Sequence, residues 1–230
     1  MFQFRFLYKA FLNVRYRKQI IVKTISNFLI FFSLLLLFRV FHKPVYYEIR
    51  YFFDRLSGVE YKISLKKRES GRLSSIFKRK KIKFLVPKDE SFSIVIPKIA
   101  ANSNIISNVD AADEKEYLKA LKRGVAHAKG TAFPGEGGHI YLFAHSTDYF
   151  WNVGVYNAVF YLLYKLEKGD EVNLFYKGKR YVYKVVDKRI VDPKQVEYLT
   201  RKTNREFLTL QTCWPPGTTW KRLLIFAVRK

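Results

Sequence analysis

FLTLQTCWPPGTTWKRLLIFAV, residues 207–228, holds two apolar runs either side of a turn. Phe207–Thr212 and Leu223–Val228 read as strands rich in β-branched and aromatic residues. Between them stands Trp214-Pro215-Pro216-Gly217. Two successive prolines cannot continue a hydrogen-bonded ladder, so the chain leaves the sheet just after Cys213. The thiol is therefore expected at a strand end, on a rim that a substrate can reach. Arg222 opens the next strand, so the turn carries a guanidinium back towards the sulfur.

Working outward, the same strand pattern recurs. Phe92–Ile96 (FSIVI) ends at Pro97, and His139–Ala144 (HIYLFA) begins after Gly135-Glu136-Gly137-Gly138. Glu171–Tyr176 and Arg180–Val186 flank Lys177-Gly178-Lys179, a hairpin signal. Glu114–Arg123 has helical spacing, with Tyr117, Leu118 and Leu121 on one face, and Val155–Leu166 is expected to hold a short helix. Six short strands with few helices predict an all-β-dominated domain over 91–230, a small closed barrel rather than alternating β-α units.

The first forty residues differ in kind. From Thr24 to Phe38 no residue is charged, and extension back to Ile20 gives an apolar span with only Lys23 near its edge. A helix of that length reaches roughly 28 Å, close to the ~30 Å of a bilayer core. The run leads into Arg39, Val40, Phe41, His42 and Lys43 without a small-residue cleavage site, so it reads as an anchor, not a cleaved leader. The expected organisation is a cytoplasmic basic segment over 1–19, a transmembrane anchor over 20–41, a basic linker over 42–90 and the barrel domain over 91–230. Arg5, Lys9, Arg15, Arg17 and Lys18, with no acid among them, favour a cytoplasmic N-terminus.

The chain of 230 residues carries 43 basic and 19 acidic side chains, a formal charge of +24. Residues 1–90 hold 21 of the basic and 6 of the acidic groups, so the excess is concentrated around the anchor and the linker. That placement argues for contact with membrane lipid or anionic surface polymer rather than nucleic acid. The run Lys78-Arg79-Lys80-Lys81 lies in a stretch without long apolar period, which reads as a solvated spacer. Apolar residues at 49% exclude a disordered chain, and one cysteine excludes both a disulfide framework and a cysteine-rich zinc site. The acids Glu136, Asp148 and Glu167 lack calcium-loop spacing, so no metal and no cofactor are expected. There is no phosphate-binding glycine loop, no GxSxG and no HExxH.

A strand also delivers His145, in Phe143-Ala144-His145-Ser146. Cysteine, histidine and arginine at three strand ends make a constellation suited to acyl transfer. Each has a plainer reading: a small buried hydrophobe, a satisfied core histidine, one cation among many.

TLQTC at 209–213 followed by Arg222 resembles the TLxTC…R signature of the sortases, membrane-anchored cysteine transpeptidases of bacterial surfaces. Ile94-Val95-Ile96-Pro97-Lys98-Ile99 resembles the family's first barrel strand. Gly124-Val125-Ala126-His127 and Gly130-Thr131-Ala132-Phe133-Pro134-Gly135 resemble the segment before the catalytic histidine strand. His139 in place of an asparagine, and Phe143-Ala144 in place of an Ala/Gly-Gly pair, depart from the pattern. The resemblance implies an eight-stranded sortase-type β-barrel with short helices, added to the N-terminal transmembrane helix. It implies that Cys213 attacks the threonine carbonyl of a C-terminal LPXTG-like sorting signal, forming a thioacyl-enzyme that an amine of cell-wall precursor or a pilin lysine resolves. His145 would be the acid and base and Arg222 the oxyanion donor, with Thr212 aiding substrate or oxyanion positioning. Partners would be secreted proteins bearing sorting signals, and the barrel would face the outside.

His127 is expected to be structural and His139 to lie at a strand edge. Trp214 and Trp220 flank the turn and either line a substrate groove or pack at the barrel rim. Two other functions use the same residues or none of them: a membrane-tethered cysteine hydrolase, with water as acceptor, and a non-enzymatic basic module that binds surface polymers.

Overall fold

The computed structural model describes residues 2–65, 81–146 and 159–230. Two compact units are present, Met1–Tyr46 and Tyr47–Lys230. Helix α1 covers Phe2–Leu56, and within it Tyr16–Arg39 is long and apolar enough to cross a membrane. None of that 24-residue window is buried, which suits a segment whose solvent is lipid.

In the second unit, Phe92, Ile94, Ile96, Ile140, Leu142, Leu174, Leu208 and Leu210 are all buried in one apolar core. Their strands wrap around it as a closed barrel. The strands are β3 (Phe92–Ile96), β4 (Ala101–Val109), β5 (Val125–Ala128), β6 (His139–Phe143), β7 (Glu171–Tyr176), β8 (Lys179–Val191), β9 (Phe207–Trp214) and β10 (Lys221–Arg229). The order around the barrel is β10-β8-β7-β3-β4-β5-β6-β9, and β9 pairs with β10 to close it. Two neighbours run parallel, β4 with β5 and β6 with β9; the others are antiparallel. A closed sheet has no free edge to template aggregation.

Helix α2 (Glu114–Arg123) follows Asp113, whose carboxylate caps it by accepting from the amides of Lys115 and Glu116 at 2.9 and 3.2 Å. Gly124 ends it where a Cβ would lie 2.3 Å from the Asn104 carbonyl oxygen, so only glycine lets the chain enter β5 beside β4. Strands β4 and β5 are additional to the six that the sequence pattern indicates, and β8 runs on to Val191. Of the expected helix over Val155–Leu166, residues 155–158 lie outside the described residues. The rest forms a 3₁₀ turn, Tyr161–Lys165.

The connector also holds more structure than a spacer. α1 continues to Leu56 because Tyr47 and Tyr51, one helical turn apart, pack on the barrel core. Beyond it, β1 (Glu60–Ile63) and β2 (Ile82–Leu85) pair in parallel, and Asp54 ties α1 to both by accepting from the Tyr61 hydroxyl at 2.6 Å and the Lys83 ammonium at 2.7 Å. The run Lys78-Arg79-Lys80 lies outside the described residues.

Candidate active site

Strands β9 and β10 are joined by a tight turn in which the Trp214–Pro215 peptide is cis. Their register sets Arg222 directly opposite Cys213 and Leu223 opposite Thr212. Leu223 and Thr212 are buried towards the barrel interior. Alternation therefore turns Cys213 and Arg222 outward together, as a cross-strand pair on one face. The thiol is half-buried at the end of its strand.

His145 arrives from the other flank of β9. In the parallel β6–β9 ladder Phe143 is level with Gln211. One residue further, the Ala144 amide donates to the Gln211 carbonyl at 3.1 Å, and the Thr212 hydroxyl donates to the Ala144 carbonyl at 2.9 Å. Both bonds hold the residue before His145 against the residues before Cys213. His145 follows two residues beyond Phe143, the last residue of β6. Cys213 and Arg222 thus form one cross-strand pair, and the residue before His145 is bonded to the stretch of β9 that leads to Cys213.

The Arg222 guanidinium is braced on the turn: its Nη1 donates to the carbonyls of Thr219 at 3.0 Å and Lys221 at 3.2 Å. Among the described residues these bonds engage one of its nitrogens, which leaves the others to meet an incoming oxygen. Burial pushes the Cys213 thiol above its ordinary range, with the Arg222 cation opposing that rise. Burial likewise pulls the His145 imidazole below its usual value. At neutral pH the resting pair is therefore thiol and neutral imidazole.

The other expected contacts divide. Thr212 is 3% exposed and faces inward, and its hydroxyl is bonded to the Ala144 carbonyl. Trp214 packs on the core, with its ring 5.3 Å from that of Tyr164, whereas Trp220 is 73% exposed on the turn. His127 is fully buried; its Nε2–H donates to the Ala132 carbonyl at 3.0 Å and its Nδ1 accepts from the Asn108 amide at 3.3 Å. His139 is buried at the start of β6, donating to the Arg201 carbonyl (3.1 Å) and accepting from the Thr209 hydroxyl (2.8 Å).

Tyr141 and Gln211 share the outward face, and the Tyr141 hydroxyl donates to the Gln211 side-chain oxygen. Burial raises the Tyr141 hydroxyl's pKa while the Arg222 cation lowers it, which places this phenol within the field of the guanidinium. Neither residue stands out in the sequence reading, although period-two counting back from Cys213 reaches Gln211. No group of three or more histidine, cysteine or carboxylate side chains suited to a metal occurs among the described residues.

A family model described as the sortase domain matches residues 94–230, a span that takes in His145, Cys213 and Arg222. The chain belongs to the sortase family. Sortase D of Bacillus subtilis is 33% identical over 137 residues, 58% of this chain and 61% of that protein, so the match spans less than two thirds of that relative's length. Among solved structures, sortase C-1 from Actinomyces oris is 30% identical with a TM-score of 0.51, covering 62% of this chain and 75% of that one. A lid mutant of sortase A from Corynebacterium diphtheriae is 28% identical with a TM-score of 0.50, covering 62% and 70%. The eight-stranded closed barrel with short helices is the fold these sortases share.

Proposed function

We propose that this sortase domain is a cysteine transpeptidase held at the cell membrane by Tyr16–Arg39, with its N-terminus cytoplasmic and its barrel outside. What supports the reading is the Cys213–Arg222 pair across β9 and β10, with the residue before His145 bonded to Gln211 and Thr212 on the other flank of β9. The substrate is the C-terminal sorting signal of a secreted protein, of LPXTG type. Because both resting groups are neutral, the Cys213 proton passes to His145 as sulfur attacks the threonine carbonyl carbon. The carbonyl π electrons move to oxygen, where the Arg222 guanidinium donates to the developing negative charge. One such donor is worth about 3–4 kcal/mol.

His145 then returns the proton to the leaving glycine amine, and the C–N bond breaks to leave a thioester on Cys213. An incoming amine, from cell-wall precursor or a pilin lysine, loses its proton to His145 and displaces the thiolate. One amide replaces another, so the reaction is close to isoenergetic and no nucleotide or redox cofactor takes part. In a water-accepting variant of the same chemistry, hydrolysed peptide would accumulate in place of ligated product.

The test is incubation of the full chain with a sorting-signal peptide and an amine. Ligated product that disappears in Cys213→Ala supports the reading, and a covalent peptide adduct on Cys213 should be trapped before the amine is added. Ligation undiminished in Cys213→Ala overturns it.

A further inference from the structure

The turn that carries the nucleophile is supported from behind by the segment that follows the membrane span. Trp214 is the residue after Cys213 and points to the opposite side of β9, onto the core. Against its ring lies Tyr164, at 5.3 Å between centroids and tilted by 54°. The backbone of Tyr164 is fixed to β8, since the Lys188 ammonium donates to the carbonyls of Tyr164 and Leu166 at 2.8 and 3.0 Å. Its hydroxyl donates to the Glu48 carboxylate in α1. That carboxylate also pairs with Lys165 at 3.2 Å, and the Lys165 ammonium lies over the rings of Tyr164 (4.7 Å) and Tyr51 (5.3 Å). Arg50, next along the helix, donates to the Ile99 carbonyl at 3.3 Å, and the Tyr47 and Tyr161 rings meet at 5.9 Å.

We propose that Glu48 and Tyr164 are positioning residues for the reaction at Cys213: the carboxylate on α1 holds the phenol, the phenol holds Trp214, and Trp214 sets the end of β9 that bears the sulfur. Nothing in this chain of contacts touches substrate. Its effect is on where the sulfur stands relative to Arg222 across the turn. The stretch of α1 from Tyr47 to Leu56 is thereby part of the working domain, although it lies upstream of the residues that match the family. The role rests on Cys213 being the nucleophile, but the contacts can be examined without any substrate.

The experiment uses the full chain in detergent and reads two quantities: the rate at which iodoacetamide alkylates Cys213, and kcat and KM with peptide and amine. Tyr164→Phe keeps the ring on Trp214 and removes only the hydroxyl, so the fold is retained. Glu48→Ala removes the acceptor, and Glu48→Gln keeps one. Tyr164→Phe and Glu48→Ala should each change the alkylation rate and lower kcat by about five-fold, with KM within about two-fold, as expected for about 1 kcal/mol of coupling converted to rate. The double variant should be no worse than the more affected single one, because both cut one chain of contacts. Glu48→Gln should recover most of the loss. Alkylation rates equal to wild type in both single variants, or a double variant whose effect is the product of the two, overturns the proposal. Altered alkylation in a chain that ligates nothing would leave the contacts established and overturn the transpeptidase reading instead.

Discussion

The two ends of the β9–β10 ladder share strands but not surroundings. At one end the outward face is sealed: Val191, Leu224 and Phe226 form a second buried cluster with Tyr198 and Phe207, beneath the segment that includes the short helix α3 (Glu197–Thr200). Thr209 lies on that half, bonded to His139, which also donates to the Arg201 carbonyl. At the other end no such apolar cluster lies over the face among the described residues, and Cys213 and Arg222 are half-buried there. One ladder thus carries a packed apolar cluster at one end and, at the other, the pair to which the proposed reading assigns the chemistry.

That contrast can be broken most severely at the open end. Arg222→Ala should lower kcat/KM by about 10²–10³-fold with little change in thermal stability, as for loss of one oxyanion donor. It should also move the alkaline limb of the kcat/KM profile upward, because it removes the cation that opposes the burial-raised pKa of the Cys213 thiol. Steady-state kinetics against pH checks both. At the sealed end the signs reverse. Leu224, 1% exposed, should cost about 2–5 kcal/mol of stability when changed to alanine, with kcat in the surviving folded fraction much less affected. Denaturant melts beside activity assays would show it.

A subtler probe is acid. Burial holds His139 down to about 4 from 6.5, so between those values the unfolded chain binds a proton that the folded one refuses. The stability that neutral His139 contributes is present above about 6.5 and drains away as pH falls towards 4. His139→Gln should flatten that part of the curve of melting temperature against pH. The smallest effect is expected at the boundary between the two halves. Thr212→Val keeps the shape but deprives the Ala144 carbonyl of its donor, which costs about 1–2 kcal/mol. Its kcat should fall by up to about ten-fold as His145 loses its registration with Cys213.

Much of this was legible in residue order. Apolar runs rich in β-branched and aromatic residues mark β3, β6, β9 and β10, a hairpin signal marks β7 and β8, and the prolines after Trp214 force the turn that pairs Cys213 with Arg222. β4 escapes because Ser103 occupies one of its inward positions, interrupting the apolar alternation, and because Asn102 and Asn104 flank it. β5 is four residues, all buried, too short to show a period. The β1–β2 pair joins strands of only four residues each, too short for a pattern to stand out in the sequence. Of the site, the hairpin pair follows from local chemistry, whereas His145 is singled out by its strand end and by the family resemblance. Tyr164 and Glu48 carry no local signal at all, since their bond joins residues 116 apart. Contacts of that range are products of topology, which a single sequence does not spell out.

The parallel seam between β6 and β9 has one more consequence. The bond from Thr212 to Ala144 bridges 68 residues of chain, and the loop it closes contains both β7 and β8. No fragment ending before β9 contains the thiol, and the β9–β10 hairpin alone cannot bring His145 to it. Loop closure of that length is among the slower steps of folding. Reactivity should therefore emerge all at once, with the last seam, and a half-finished barrel should carry an inert sulfur.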